Sequence, residues 1–230
     1  MCDLIEDDNR NEWIRKQLLS IPEGSSILDA GAGQLRWKDS CRHLRYTSQD
    51  FGKFKGNGDS KGCGLKTGSW DTDMIDIVSD ITEIPVGNET FDCVLCSEVL
   101  EHVPHPESAI RELVRIIRPG GALIITAPFN SLTHFAPYHF CTGFNKWWYE
   151  MIMNENGMHI DEITANGNYF TYMRQEILRC DTLIREYEKG VPRLVKWGGR
   201  MMIRGMRKRF MSDESNDIGC FGYMVRAHKI

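Results

Sequence analysis

Ser26-Ile-Leu-Asp-Ala-Gly-Ala-Gly33 is the stretch whose reading decides the fold. A short apolar run that meets an acid and then breaks into two glycines predicts a buried strand entering a tight turn. Glycine at 31 and 33 lets the backbone turn sharply and approach a ligand with no Cβ in the way. The stretch does not complete a dinucleotide fingerprint, because position 36 is arginine, and no Gly-Lys-Ser/Thr follows to make a P-loop. Two glycines after a strand say little by themselves. Asp29, just before them, is the informative addition.

Working outward, strands and helices alternate. Trp13, Ile14, Leu18 and Leu19 mark one side of an opening helix that Pro22-Glu-Gly24 ends. Strands are predicted at 44–51, 75–80, 91–97, 122–127, 158–164 and 221–227, and helices at 106–118, 145–156, 172–189 and 192–211. Pro119-Gly120-Gly121 is read as the stop of the 106–118 helix. The segment 52–69 holds six glycines and four lysines and reads as a long loop. Alternation of this kind implies an α/β fold, with parallel pairing, and the nearly all-apolar strands fit a sheet with helices on both faces. Ligands of such sheets bind at the carboxyl ends of the strands, near the topological switch point.

The composition belongs to an ordinary folded domain: 230 residues, 41% hydrophobic and 26% charged, enough chain to bury a full core without disulfides or structural metal. No apolar run approaches a bilayer span, and the acidic first residues do not resemble a targeting segment, so a cytoplasmic protein is expected. A single domain over 1–230 is expected, with a helical segment at 1–24, a binding core at 25–165 and a helical insertion at 166–218 before the last strand. Cys93 and Cys96 spell a CxxC, but on a strand they project to opposite faces and read as buried thiols. No ligand spacing strongly supports a metal site of His102, His105, His134 and His139, so no metal is expected. The net charge of −4 argues against generic nucleic-acid binding. It is unevenly spread. Residues 191–210 carry seven basic side chains and no acid, which leaves −11 on the remainder. Arg193, Lys196, Arg200, Arg204 and Arg207 recur at steps of three and four, one stripe of a helix. A solvated face is the plain reading; an anionic acceptor or peripheral contact with a membrane surface is the sharper one.

At the strand ends lie Asp50, Asp80-Ile81, Ser97-Glu98 and Thr126-Ala-Pro-Phe129. An acid at the end of the second strand can accept both ribose hydroxyls of a nucleoside. With Leu28-Asp-Ala-Gly-Ala-Gly33, Asp50, Ser79-Asp-Ile81, Phe91-Asp92, Ser97-Glu-Val-Leu-Glu-His102 and Leu113-Val-Arg-Ile-Ile-Arg-Pro-Gly-Gly121 in this order, the chain resembles class I S-adenosylmethionine-dependent methyltransferases, the type 11 group, over about residues 25 to 165. The resemblance implies a Rossmann-like seven-stranded sheet whose last strand is antiparallel. It implies S-adenosyl-L-methionine as cofactor and S-adenosyl-L-homocysteine as product. It places Asp29, Gly31 and Gly33 around the methionine moiety, Asp50 on the ribose, Asp80 and Ile81 beside adenine, and Ser97 and Glu98 beneath the sulfonium. Leu35 stands where the family usually has a third glycine.

Methyl transfer from a sulfonium mainly requires alignment of the acceptor and exclusion of water. A hydroxyl acceptor also profits from a general base, and His134 and His139, with His102 behind them, lie after the ends of strands four and five. Thr133-His-Phe-Ala-Pro-Tyr-His139 therefore reads as acceptor-pocket lining. Trp147, Trp148 and Tyr149, consecutive and so unable to share one helix face, divide between core packing for one or two and a substrate wall for the rest. The turn at 166–170 could close the same pocket. The expected function is methylation of a small molecule, with a sugar hydroxyl of surface-polysaccharide synthesis preferred. An inactive nucleoside-binding module and a nucleic-acid methyltransferase are the alternatives.

Overall fold

The computed structural model describes residues 5–54, 71–187, 194, 197–199, 201–202, 205 and 215–230. The basic stripe of Arg193 to Arg207 and most of the 52–69 loop lie outside the described residues. Seven strands form one sheet: β1 Ser26–Ala30, β2 Arg45–Asp50, β3 Ile77–Val78, β4 Phe91–Ser97, β5 Ile117–Pro128, β6 Met158–Asn166 and β7 Gly222–Lys229. Their order is β3-β2-β1-β4-β5-β7-β6. β1 to β5 run parallel, and β7 inserts antiparallel between β5 and β6. The expected seven-stranded sheet with an antiparallel last strand is therefore present. Strand order reverses between β1 and β4, so the crevice at their carboxyl ends is the switch point.

The core divides by strand alternation. Leu28, Val94, Cys96, Leu123 and Ile125 face helices α2 (Pro106–Ile116) and α3 (Lys146–Glu155), where Ile110, Leu113, Tyr149 and Ile152 meet them. Ile27, Cys93, Leu95 and Ile124 face the other way, against Trp13, Ile14 and Leu18 of α1 (Ile5–Leu19). Cys93 and Cys96 thus sit in different halves of the core, and burial pushes the Cys93 thiol up to about 12. Leu19 was expected on the buried side of α1 but is exposed, outside the apolar face that Trp13, Ile14 and Leu18 turn to the sheet. Polar bonds fix the helix's docking: Trp13 Nε1 and Gln17 Nε2 donate to the two oxygens of Glu162 on β6 at 2.8 and 3.0 Å.

Several boundaries differ from the sequence reading: β3 keeps only Ile77–Val78 of the expected 75–80, and two other shifts have local causes. α2 ends at Ile116, and Ile117 is already extended, paired with Phe91. Arg-Pro-Gly-Gly therefore lies within β5, where the β4 register shifts between Phe91 and Cys93, instead of ending the helix. The helix's last carbonyls are taken by the chain before β4, with Glu89 N donating to Arg115 O at 3.0 Å and Thr90 N to Ile116 O at 2.8 Å, and Ile117 is buried at its strand position. α4 spans Tyr169–Tyr187, starting earlier than expected because Asn168 caps it: its Oδ1 accepts from Thr171 N at 2.9 Å. Among the described residues, no helix is long and apolar enough to cross a membrane.

Candidate active site

A cavity of about 820 Å³ opens at the carboxyl ends of β1, β2 and β4. Asp29, Gly31, Gly33, Asp50, Asp80, Ile81, Ser97 and Glu98 all line it. The β1 turn is built on a close approach: Gly31 has φ +75°, and a Cβ there would stand 2.3 Å from Val99 Cγ2. Only glycine lets the turn lie against the segment that follows β4. Leu35, at the departure from the family pattern, also takes a left-handed conformation, φ 58°. The backbone thus keeps the shape a glycine would favour, at the cost of strain in a leucine.

Two carboxylates organise this end. Asp50 accepts from Gly33 N at 3.0 Å and Gly52 N at 2.8 Å, tying the β1 turn to the β2 exit. Asp29 is 2% exposed and accepts from the Tyr46 hydroxyl at 2.6 Å. Burial, added to by the charge of Asp50, pushes the Asp29 carboxyl up to about 7 against the Tyr46 bond. Gln49, absent from the sequence reading, bridges the turn to the next strand end: its Oε1 accepts from Gly31 N at 3.2 Å and its Nε2 donates to Ser79 O at 2.8 Å. Asp80 holds its own turn, accepting from Thr82 N and Oγ1, bonds that lower its carboxyl.

The floor beneath the switch point is a charged and hydroxylic chain. Glu98, at φ 55°, accepts from Thr126 Oγ1 at 2.9 Å and from Arg10 Nη1 at 2.8 Å, and Ser97 Oγ lies 2.9 Å from Thr126 Oγ1. Arg10 comes from α1, far away in sequence. The opening helix carries Arg10, Arg15 and Lys16 among its acids, and nothing local marks Arg10 as the one that reaches Glu98.

The far end of the cavity is aromatic. Phe51 meets Tyr138 edge-on at 5.0 Å, Phe54 lies 4.5 Å from Phe135, and Phe140 is also in the lining. Of the Thr133–His139 stretch, His134, Phe135 and Tyr138 line the cavity, and so does His102. His139 does not: its Nε2 is 3.0 Å from Ser131 Oγ, and its ring centroid is 5.0 Å from that of His134. The expected walls at 147–149 are elsewhere. Tyr149 is fully buried in the core, Trp148 packs on Phe144 at 4.5 Å, and Trp147 is exposed beside Lys146. The 166–170 turn serves α4 and is not part of the lining.

Nδ1 of His102 lies 2.6 Å from Tyr138 O, and Nδ1 of His134 lies 2.8 Å from Leu132 O. A carbonyl only accepts, so both Nδ1 atoms carry hydrogen and both Nε2 atoms keep their lone pairs when the rings are neutral. Burial and the neighbouring His134 push His102 down to about 4. Burial and His134 also lower His139. Glu101, behind the two rings, is 1% exposed; burial and the charge of Glu98 raise its carboxyl well above the usual range.

The family model described as a methyltransferase domain matches residues 7–167. A demethylmenaquinone methyltransferase of Mycobacterium bovis is 28% identical over 104 residues, 44% of this chain and 40% of that protein. A ubiquinone biosynthesis O-methyltransferase of Dechloromonas aromatica is 34% identical over 119 residues, 51% of this chain and 49% of that protein. The matches to these curated relatives thus span half of their length or less. Among solved structures, phosphoethanolamine N-methyltransferase 2 of Haemonchus contortus, in complex with S-adenosyl-L-methionine, has the same fold at 17% identity and a TM-score of 0.54, covering 96% of this chain and 52% of that one.

Proposed function

The chain belongs to the methyltransferase-domain family, and from that premise we propose that it transfers the methyl group of S-adenosyl-L-methionine to a hydroxyl of a small, ring-bearing molecule. One observation carries this reading: a single cavity joins the buried carboxyls of Asp29 and Asp50 at one end to the lone-pair nitrogens of His102 and His134 at the other.

The residues present fit a nucleoside cofactor. A carboxyl buried as deeply as Asp29 suits the ammonium of a methionine moiety, and Asp50 keeps lone pairs for the ribose beyond its two backbone bonds. Ile81, 7% exposed, offers an apolar flank for adenine beside Asp80, and Ser97 and Glu98 close the floor. Bound there, S-adenosyl-L-methionine supplies a methyl group already activated on a positive sulfur. The chain's own contribution is position, dryness and a proton acceptor. His134 is the best-placed acceptor: Leu132 O orients the ring and leaves Nε2 to take the hydroxyl proton as the oxygen–methyl bond forms. His102, held near 4, is a weaker base, and His139 acts at most through His134.

The aromatic end supports an acceptor with a flat, apolar ring bearing the hydroxyl, as in a phenol or quinol, over the sugar hydroxyl expected from the sequence. Phe51, Phe54, Phe135, Tyr138 and Phe140 present ring faces and edges, whereas a sugar's many hydroxyls need polar partners. The two quinone-pathway relatives support the same class. The test is transfer from labelled S-adenosyl-L-methionine to parallel panels of phenolic and sugar acceptors, with Asp50→Asn as the cofactor-site variant. Labelled phenol products, with affinity for S-adenosyl-L-homocysteine reduced at least tenfold in Asp50→Asn, are expected. Labelling confined to sugars would overturn the acceptor class, and undiminished affinity in Asp50→Asn would overturn the ribose assignment.

A further inference from the structure

We propose that Glu101, His102 and His134 form a binding site for one divalent transition-metal cation at the aromatic end of the cavity. The three donors converge from two separate segments, the turn after β4 and the loop after β5. Glu101 Oε1 is 3.6 Å from His102 Nε2 and 4.0 Å from His134 Nε2, and the three donor atoms all lie within 4.8 Å of one another. Donors bound at about 2.0–2.2 Å to one ion stand roughly 3–3.6 Å apart, so the set closes on a cation with small side-chain movements.

Three further observations separate this cluster from an ordinary group of polar residues. Each imidazole gives its Nδ1 hydrogen to a main-chain carbonyl, which fixes the ring and aims the Nε2 lone pair inward. That is the outer-shell arrangement by which metal-binding histidines are held. The Glu101 side chain is 1% exposed, and its Oε2 has no hydrogen-bond partner among the described residues. A buried carboxylate that lacks a partner at one oxygen is costly, and a cation held at Oε1, the oxygen that faces the two Nε2 atoms, would neutralise the group. Both histidines also line the cavity, so an ion held by two nitrogens and one carboxylate has open positions facing the ligand space. Two imidazoles with one carboxylate suit Zn²⁺, Fe²⁺, Co²⁺ or Mn²⁺, and offer too few oxygens for Ca²⁺.

The open positions would take the acceptor oxygen and favour its deprotonated form. That role rests on the methyl-transfer reading; cation binding itself does not. A ligated His134 Nε2 has no lone pair left for a proton, so the ion would replace His134 as the means of activating the hydroxyl.

The test uses the full chain, free of affinity tags and treated with chelator, titrated with Co²⁺ by visible absorption and with Zn²⁺ by calorimetry. One equivalent of either ion is expected to bind the wild type. His134→Gln and Glu101→Gln should each weaken binding at least tenfold, with wild-type affinity for S-adenosyl-L-homocysteine showing that the fold persists. His228→Ala serves as the control, because His228 and Asp161, 2.7 Å apart on the surface near His159, could hold an ion of their own. Absence of stoichiometric uptake by the wild type overturns the proposal whatever the variants do. So does uptake that survives both cluster variants and disappears in His228→Ala. Uptake that follows the cluster in a chain that binds no S-adenosyl-L-homocysteine would uphold the cation site and defeat the methyl-transfer reading.

Discussion

Cofactor affinity should depend on pH through Asp29. In the unliganded chain this carboxyl is pushed up to about 7, so near pH 6 it is mostly neutral. An ammonium placed beside it favours the charged form, so binding must expel the proton. The sign follows: affinity is weakest at low pH, rises as pH climbs toward 7, and levels off above it. With a free value of about 7, roughly 3% of the groups are ionised at pH 5.5 and about three-quarters at pH 7.5, which predicts an affinity gain of about 25-fold, or about 2 kcal/mol. Calorimetric titration with S-adenosyl-L-homocysteine across this range measures the gain. Repeating it at pH 6 in two buffers of different ionisation heat counts the released proton. Asp29→Asn keeps an oxygen for the Tyr46 hydroxyl but cannot titrate, so its affinity should be lower at pH 7.5 and nearly flat with pH. A wild-type affinity that does not change between pH 5.5 and 7.5 would refute the pairing of Asp29 with the ligand's ammonium.

Gly31→Ala should cost about 3 kcal/mol, the sum of a left-handed alanine and a Cβ driven into Val99, and a thermal melt within a degree of wild type would contradict the close approach described for the turn. At Leu35, φ 58° predicts that Leu35→Gly is about 1 kcal/mol more stable than Leu35→Ala, since both lose the side chain and only glycine relieves the backbone; urea midpoints in the opposite order would exclude strain there. Asp92 is opposed by its own partial burial, but the Ser26 amide and hydroxyl and the Arg118 guanidinium outweigh this and hold it at about 2. Its contribution to stability is therefore present above the unfolded carboxylate range and lost as pH falls from about 4 toward 2, and Asp92→Asn should flatten that acid limb in melts taken from pH 5 downward.

What could be read from sequence was chemistry that is local to a strand end. Asp29, Gly31 and Gly33 are three positions of one turn, and Asp50, Asp80-Ile81 and Ser97-Glu98 each close a strand of the same sheet, so parallel pairing alone carries them to one crevice. The aromatic end was readable only in part: Phe135 and Tyr138 lie in the 133–139 stretch taken as acceptor-pocket lining, while Phe51, Phe54 and Phe140 were missed. Phe51, Phe54, Phe135, Tyr138 and Phe140 come from two loops with no shared period, and only packing makes them a wall. The Trp147-Trp148-Tyr149 run divides as consecutive helix residues must: the core takes Tyr149, Trp148 packs on Phe144, and none of the three lines the cavity. Glu101 was legible as part of a family motif, but its burial against two imidazoles depends on the loop after β5 folding back over it. That loop is anchored by Phe140 N and Cys141 N donating to Glu101 O at 2.9 and 3.1 Å.

The position of β7 also has a consequence for how the chain is made. β5 and β6 are synthesised well before β7, yet neither pairs with the other; each waits for the strand that lies between them. During translation the β5 edge, apolar from Ala122 to Ala127, stays without a hydrogen-bonding neighbour on that side until residues 222–229 leave the ribosome. A nascent chain halted after β6 therefore carries the whole β1 to β5 ligand crevice but an open sheet edge, the kind of surface that recruits chaperones or another chain. The sheet thus stays open on that side while the 55 residues between β6 and β7 are made.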